Sequence, residues 1–457
     1  MIPKLSAMAL LPVKTYYLSP AEFGTLGTLA SIASFLTPMI LLGTTAAVVR
    51  AYYDKKEGGD DYKSYVISTW LGVSFISIVL VAAIVFIGAH SWEKTPLGNK
   101  FPFHPHMSLT IVKVFLAVIG TSLLLPVFRA MQRPWLYVIF MLGAWFLNLI
   151  FGLYGLVKYG LVGQIVAELP SCIIISVASV AVMIRMFGTL DIHLKHFKAA
   201  LAFGLPLVPH MLAIWVMNMS DRVLLASMVP MADVGLYNLA MSIAIVMVFV
   251  ITSINMAWTP RYYEIMAEKD RNLFEVRKYG IWWLIGIGFC CLFMMLFARD
   301  AIDLLATKNF AGSSRFVPMM AFSFFAMGIY LFGVNPLFYH KRTKLIPWVS
   351  GGAALLNILL NLLLIPRLGA IGAVVSTLSA QVSMATIFHC VTRKTDPMPY
   401  PYLEGLLPVL GLGALAIWLS FLQYPSELSF FVRVGIAVIL LPVFIPLLVR
   451  GIKEREA

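Results

Sequence analysis

Charged residues and cysteines are both scarce in this chain of 457 residues. Only 12% of the residues are charged, whereas 60% are apolar, and the mean hydropathy is +0.89. A soluble body of this size needs far more polar surface, so the composition indicates a membrane protein built of apolar helices. The cysteines argue against a disulfide framework, because all of them lie in apolar runs: Cys172, Cys290, Cys291 and Cys390.

Sequence patterns typical of enzymes and metal sites are missing as well. No Gly-x-x-x-x-Gly-Lys-Ser/Thr phosphate loop occurs, which argues against a self-contained ATP-driven pump. The histidines at 104–106 and 193–196 resemble metal-ligand spacings only superficially, and we interpret them as loop residues. No sizeable soluble loop is present to hold a catalytic site. We therefore predict no enzyme activity, no metal and no cofactor.

Apolar stretches dominate what is present. Roughly 14 of them are long enough to cross about 30 Å of hydrocarbon, which predicts an all-α polytopic membrane protein. The first stretch is short and is interrupted by Lys4 and Lys14. The predicted spans are 2–18, 25–49, 64–88, 109–128, 135–157, 161–184, 199–220, 232–256, 279–298, 314–337, 345–365, 369–391, 402–421 and 429–449.

The sequence also repeats itself. Residues 21–53 match residues 232–264 at a constant offset of 211, with Gly24/Gly235, Ser31/Ser242 and Arg50/Arg261 among the identities. A second match at offset 209 pairs Asn148 with Asn357 and Gly160 with Gly369. We predict two pseudo-symmetric six-helix lobes around a central cavity, at 1–190 and 195–393, with two additional helices at 402–450. Such lobes can open a shared binding site to either side of a membrane.

Basic residues outnumber acidic ones, 34 to 21, for a net charge of +13. With the amino terminus in the cytoplasm, about 23 of the cations fall on cytoplasmic segments and about 9 on the other side, so the positive-inside rule favours this orientation. Most of the surplus is explained by loops that face anionic lipid. Nothing in the sequence supports nucleic-acid binding.

Several cations lie within predicted spans or at their ends, where a charge costs about 2.5–3.5 kcal/mol and usually faces a partner or a wet cavity. Snorkelling alone can explain a cation near a helix end. Arg50 and Arg261, however, are related by the repeat, and together they would form a cationic funnel for a phosphate or pyrophosphate group. The other cations of this set are Lys14, Lys113, Arg129, Arg222 and Arg433.

Glu168 is the one carboxylate that the sequence places well inside a predicted span. It either carries a coupled proton or cation, or it is neutral or paired with a lysine for packing. Asp221 precedes Arg222 and forms a structural ion pair in the simplest interpretation. His210 follows Pro209 and is either a group that titrates near neutral pH or a hydrogen-bonded packing residue. Glu168 and Asp221 alone do not supply the oxygens of a Na⁺ cage.

Three motifs carry a family resemblance. Residues 18–24, Leu-Ser-Pro-Ala-Glu-Phe-Gly, resemble the turn that joins the first two helices of polysaccharide exporters. Ser220-Asp221-Arg222, Gly235-Leu236-Tyr237 and Pro260-Arg261 resemble the start of that family's second lobe, and residues 365–373 resemble the start of its twelfth helix. Their order and spacing cover most of the first 390 residues.

The resemblance is to the O-antigen flippases of the Wzx type, in the oligosaccharidyl-lipid branch of the multidrug/oligosaccharidyl-lipid/polysaccharide (MOP) superfamily. It implies a bacterial inner-membrane flippase that moves a polyprenyl (undecaprenyl) pyrophosphate-linked oligosaccharide for lipopolysaccharide, capsule or exopolysaccharide synthesis, by alternating access. Its implied partners are membrane lipids, a polysaccharide polymerase and a chain-length regulator. Members of this family often have 12 helices, so the two predicted helices after residue 402 are a departure from its pattern. In the lipid II branch of the superfamily, two additional helices form a groove for the lipid tail.

On this interpretation Arg50 and Arg261 capture the pyrophosphate at the inner mouth, and further cations line its path: Lys14, Lys113, Arg129 and Arg222. Glu168, His210 and Asp221 are the candidate groups for coupling to H⁺ or Na⁺. The alternative within the superfamily is a multidrug or cation antiporter, which needs acidic cavity residues that are few here. A membrane scaffold or synthase subunit is the alternative outside transport, and it has no need for two repeated lobes.

Overall fold

The computed structural model describes residues 8–54, 60–188, 192–268, 272–342, 345–395, 402–421 and 435. Within these residues every regular element is helical, which confirms the all-α prediction. Ten of the described helices are long and apolar enough to cross a membrane, so the count of 14 is not confirmed. The predicted span 429–449, with Arg433, lies outside the described residues apart from Gly435.

The chain divides into two compact units, residues 1–232 and 233–457. The first unit contains nine described α-helices: α1 Leu11–Tyr17, α2 Pro20–Leu41, α3 Thr44–Asp54, α4 Asp60–Ser91, α5 Ser108–Ala117, α6 Leu123–Ala130, α7 Pro134–Phe187, α8 Leu194–Gly204 and α9 Val208–Met228. The sequence had assigned α8 and α9 to the second lobe, whereas here they belong to the first unit. The two-lobe arrangement stays a prediction.

The second unit contains the remaining helices, although the first two residues of α10 belong to the first unit. They are α10 Met231–Ala244, α11 Val246–Ala267, α12 Leu273–Leu296, α13 Ala298–Leu305, α14 Val317–Tyr339, α15 Leu345–Leu368, α16 Ala370–Thr395 and α17 Tyr402–Phe421. The core of this unit centres on α14, which packs along α16 and α12. Its buried residues include Phe325 and Asn335.

Helix α7 is a hairpin of two helices. A straight helix of 54 residues would be about 80 Å long, far more than a bilayer core. Gly160 breaks it with φ 64° and ψ −148°, a conformation that favours glycine. A Cβ on Gly155 would lie 2.2 Å from the carbonyl oxygen of Gly163, so the two halves touch through their backbones. The halves agree with the predicted spans 135–157 and 161–184.

The internal repeat is visible in the local backbone. Gln132 and Lys341, 209 residues apart, both have positive φ, at 53° and 56°, and so do Gly160 and Gly369, at 64° and 59°. At offset 211, the backbone N–H groups of Leu18 and Val229 both cap the preceding helix by donating four residues back, at 2.9 and 2.8 Å. Both copies of the repeat therefore fold into the same turns.

The Leu-Ser-Pro motif forms the turn between α1 and α2. Ser19 is the N-cap of α2, and Pro20 takes the first helical position, where its missing N–H costs nothing. The Ser19 hydroxyl accepts the backbone N–H of Glu22, whose carboxylate accepts the backbone N–H of Ser19 at 2.9 Å. This capping box explains the motif physically, because it starts α2 at a defined residue.

A short π-helical segment at Val118–Ser122 separates α5 from α6. Backbone carbonyls around this segment are satisfied by side chains of neighbouring helices. The Trp70 indole donates to the Ile119 carbonyl oxygen at 2.9 Å, and the Ser176 hydroxyl donates to that of Leu116 at 2.7 Å. These bonds tie the π-helical segment to α4, and α5 to the second half of α7, on which Lys113 of α5 finds its partner Glu168.

Candidate functional site

A cavity of about 190 Å³ lies inside the first unit, between α1 and the two halves of α7. Its polar lining comes from Lys14 on α1, Asn148 on the first half of α7, and Gln164 and Glu168 on the second half. Trp145 and several leucines complete the wall. Two of the predicted site residues, Lys14 and Glu168, therefore face one cavity.

Glu168 is the centre of this cavity's polar network. Its Oε2 accepts Lys113 Nζ at 2.6 Å, and its Oε1 accepts Gln164 Nε2 at 2.9 Å. The side chains of Lys113 and Glu168 are each 19% exposed. Lys14 lines the same cavity as Glu168. Two ammonium groups and one carboxylate leave this cluster, Lys14/Lys113/Glu168, with a net charge of +1 when all three are ionised.

Neighbouring polar groups hold the cluster in place. The Ser171 hydroxyl donates to Asn148 Oδ1 at 2.8 Å, which links the two halves of α7, and Asn148 Nδ2 donates to the Ala144 carbonyl oxygen at 2.9 Å. Gly152 leaves the space that Glu168 fills, because a Cβ there would lie 3.1 Å from Glu168 Oε1. The carboxylate is thus packed as well as hydrogen-bonded.

Sequence reasoning named the three ionisable members of the cluster but missed Asn148, Gln164 and Ser171. Two signals pointed to them. Asn148 is an identity in the repeat, and Gln164 stands four residues before Glu168, on the same face of a helix. Of the two readings of Glu168, the structure shows the pairing with a lysine; coupling to a proton or cation stays a prediction.

The second unit carries an uncharged counterpart of this cluster on α15 and α16. At offset 209, Thr377 is equivalent to Glu168, Asn357 to Asn148 and Asn361 to Gly152. Asn357 Nδ2 donates to Thr377 Oγ1 at 3.3 Å, and Asn361 Nδ2 donates to Asn357 Oδ1 at 3.0 Å. Both asparagines are buried. The same hairpin therefore holds charges in one copy and amides in the other.

The two repeat-related arginines are both paired with acids of their own unit. Arg50 Nε donates to Asp54 Oδ2 at 3.0 Å, and its guanidinium lies 5.0 Å from the centre of the Phe203 ring. Arg261 donates to both oxygens of Glu275, at 2.7 and 2.9 Å. It also donates to Glu264 at 3.0 Å. An anion at either arginine would share the guanidinium with these carboxylates. The predicted funnel stays a prediction.

The remaining predicted residues lie apart from the cavity. Arg129 is exposed near the end of α6, and His210 is exposed near the start of α9. Asp221 is buried and accepts the backbone N–H of Arg222 at 2.8 Å, while the Arg222 guanidinium contacts the sulfur of Met219. None of these residues is among those described as lining the cavity. In the described ranges, no group of three or more His, Cys, Asp or Glu side chains could hold a metal ion.

Comparison with solved structures concerns the fold. The chain resembles the lipid II flippase MurJ in an inward closed conformation, with a TM-score of 0.66 at 15% identity, over 99% of this chain and 97% of that one. It also resembles the inward-facing conformation of a multidrug resistance MATE family transporter of the MOP superfamily. That match has a TM-score of 0.61 at 15% identity and covers 86% of this chain and 97% of that one.

Comparison with curated sequences gives two partial relatives from Haemophilus influenzae. "Lsg locus putative protein 1" is 28% identical over 160 residues, which are 34% of this chain and 40% of the relative. An "Uncharacterized membrane protein" is 22% identical over 251 residues, which are 54% of this chain and 56% of the relative. The chain thus spans about half the length of the curated relatives it matches.

Comparison with protein families gives two matches. The family described as MatE matches residues 206–363. The family described as "Polysaccharide biosynthesis protein" matches residues 1–266, which is more than half of the chain and includes the whole charged cluster. This match confirms the resemblance carried by residues 18–24 and shows that the chain belongs to the polysaccharide biosynthesis protein family.

Proposed function

We propose that this protein is a flippase, not an enzyme, and that it moves a polyprenyl (undecaprenyl) pyrophosphate-linked oligosaccharide across a bacterial inner membrane by alternating access. The observation that carries the proposal is the Lys14/Lys113/Glu168 cluster, which places a surplus cation at a cavity among apolar helices. Membership of the polysaccharide biosynthesis family and the fold shared with a lipid II flippase support the class of substrate.

The electrostatic argument is that an uncompensated ammonium group among apolar helices is costly, so a protein keeps one where it meets an anion. Glu168 offsets one of the two lysine charges and fixes Lys113 at 2.6 Å. A pyrophosphate at the cavity would meet the N–H donors of Lys14, which lines it, while Lys113 contributes its charge through its contact with Glu168. The prenyl chain would stay in lipid while the sugars cross.

Orientation, energy source and partners belong to the same proposal: the positive-inside rule supports the orientation, and the resemblance supports the partners. The amino terminus is cytoplasmic, and membrane lipids surround the protein. A polysaccharide polymerase and a chain-length regulator receive the exported unit for O-antigen or another surface polysaccharide. A gradient of H⁺ or Na⁺, or consumption of the exported unit, drives the cycle. Glu168, Asp221 and His210 are the candidate groups for coupling to an ion.

The test is transfer of a fluorescent undecaprenyl pyrophosphate-linked oligosaccharide across liposomes that contain the purified protein. We expect protein-dependent transfer that falls at least about tenfold in Lys14→Ala/Lys113→Ala, since both positive charges at the cavity are lost. Lys63→Ala removes an exposed lysine paired with Asp60 and is the matched control. An unchanged rate in the double variant would reject the cluster as the pyrophosphate site.

A multidrug or cation antiporter is the second candidate. Two observations favour it: the MatE match at residues 206–363 and a carboxylate, Glu168, at the cavity. In that case a cationic drug would replace Lys113 as the partner of Glu168. Exchange of such a drug for H⁺ or Na⁺ by the same vesicles, abolished by Glu168→Gln and without lipid transfer, would support it over the flippase.

A further inference from the structure

A second cavity, of about 270 Å³, lies in the second unit and has a wall made mostly of aromatic rings. We call it the aromatic cavity. Its rings come from α11, α12 and α14: Trp258, Tyr279, Trp282, Trp283 and Phe332. Arg261, one turn after Trp258 on α11, lines the same cavity. The Lys14/Lys113/Glu168 cluster of the first unit includes none of these residues.

The rings form a platform of fixed shape. Trp258 stacks on Phe332 with ring centres 5.0 Å apart and planes only 14° from parallel. Tyr279 packs against Trp258 at 5.1 Å. Trp258 itself is 5% exposed, whereas Trp282 is 41% exposed. The cavity therefore offers a buried floor of packed rings and one ring whose surface is open to a ligand.

Trp258, which lines this cavity, carries an unused hydrogen-bond donor. Trp258 Nε1 is buried and has no hydrogen-bond partner within the described part of the chain. The neighbouring Trp283 differs, because its Nε1 donates to the Gly328 carbonyl oxygen at 3.1 Å. A buried donor without an acceptor is unfavourable and is rare in native proteins. An acceptor atom on a ligand would supply the missing hydrogen-bond partner of Trp258 Nε1.

Oxygen acceptors adjoin Arg261, the charged residue that lines this cavity. The Arg261 guanidinium holds the carboxylates of Glu264 and Glu275 beside it, and these oxygens can also accept hydroxyl groups. The cavity thus combines flat rings, an indole donor and charged groups. A hydrocarbon chain would use the rings only, whereas a ligand with C–H faces and hydroxyl edges would use all three.

We propose that the aromatic cavity binds one sugar ring of the translocated oligosaccharide. The C–H face of a pyranose lies against the electron-rich face of Trp282, and a ring or hydroxyl oxygen accepts the Trp258 N–H. The volume fits a small group, since it is just below the range of about 300–1,000 Å³ found for drug-sized ligands. This inference rests on the proposed function and adds a place where the glycan itself is recognised.

The test compares two lipids that differ only in the sugar. The full-length protein in nanodiscs is titrated with undecaprenyl pyrophosphate and with the lipid-linked oligosaccharide pool extracted from a strain that lacks this gene. Trp282→Ala should weaken binding of the oligosaccharide lipid about tenfold, because it removes the stacking surface. Trp258→Phe keeps a ring but removes the N–H, and should weaken it about fivefold. Binding of the sugar-free lipid should not change.

Trp348→Ala is the matched control, because Trp348 is 82% exposed on α15 and does not line the cavity. It should bind both lipids as the wild type does. Equal weakening of both lipids by Trp282→Ala would overturn the proposal in favour of a prenyl-chain site. No change in either variant would show that the rings are membrane-facing packing only. If the wild-type protein binds neither lipid, the proposed function itself fails, which is a distinct result.

Discussion

The two repeated hairpins, α7 in the first unit and α15–α16 in the second, have the same turn conformation and differ in charge. Both turn at a glycine with positive φ, Gly160 and Gly369. The first hairpin carries Glu168, which is half-buried and paired with Lys113 of α5. The second hairpin has Thr377 and two asparagines at the equivalent positions. A duplicated fold therefore preserves turns and packing, while single substitutions decide which copy carries a charged site.

The largest expected effect concerns the close backbone contact in the first hairpin, where glycine stands on both helices, at Gly155 and Gly163. A Cβ at Gly155 would lie 2.2 Å from the Gly163 carbonyl oxygen, whereas the second hairpin carries Leu364 at the equivalent position, opposite Gly372. Gly155→Ala should lower the free energy of unfolding by about 3 kcal/mol, since backbone must move. Heat unfolding of the purified protein in detergent measures it. The control is Gly143→Ala, where a Cβ meets nothing within 4 Å; equal loss in both variants would contradict the prediction.

The next effect contrasts the charged centre with its neutral counterpart. Glu168→Ala leaves Lys113 without its 2.6 Å partner and should destabilise by about 2 kcal/mol, because a largely buried charge loses its compensation. Thr377→Ala removes one 3.3 Å hydrogen bond to Asn357 and should cost about 1 kcal/mol or less. Unfolding midpoints of the two variants, measured side by side, decide this. Similar midpoints would mean that the charge adds nothing to stability.

Reversing the ion pair separates packing from substrate binding. Lys113→Glu alone sets two carboxylates together and should destabilise, and Lys113→Glu/Glu168→Lys should recover about 2 kcal/mol of that loss, since the attraction is restored. If Lys113 also serves the pyrophosphate, lipid transfer should stay low in the reversed pair although stability returns. Recovery of both stability and transfer would assign the pair to packing alone.

The smallest effect tests the space around Glu168. Gly152→Ala would place a Cβ 3.1 Å from Glu168 Oε1 and 3.3 Å from its Cγ, contacts that a flexible side chain can relieve. We expect a loss of about 1 kcal/mol. Unfolding of Gly152→Ala in the Glu168→Ala background provides the check, because the loss should vanish once the carboxylate is gone. Persistence of the full loss would place its cause elsewhere.

Much of the candidate site was readable in the sequence, and its gaps have a physical explanation. A lysine or glutamate inside an apolar span is conspicuous, because its cost in lipid makes it an exception. Lys14, Lys113 and Glu168 were found in this way. Asn148, Gln164 and Ser171 are inconspicuous, since amides and hydroxyls occur in many membrane helices. The aromatic cavity was not predicted, because its rings come from three helices and are unremarkable in each one.

The sequence alone determined the helical class, the duplicated plan and the presence of charges within the spans. These follow from hydropathy and local periodicity, which are properties of short segments. Only the tertiary structure decided that Lys113 meets Glu168 across two helices, that Arg261 is paired with Glu275, and that Trp258 faces a cavity. Such contacts join residues far apart in the chain, and they depend on how helices pack rather than on the pattern within any one of them.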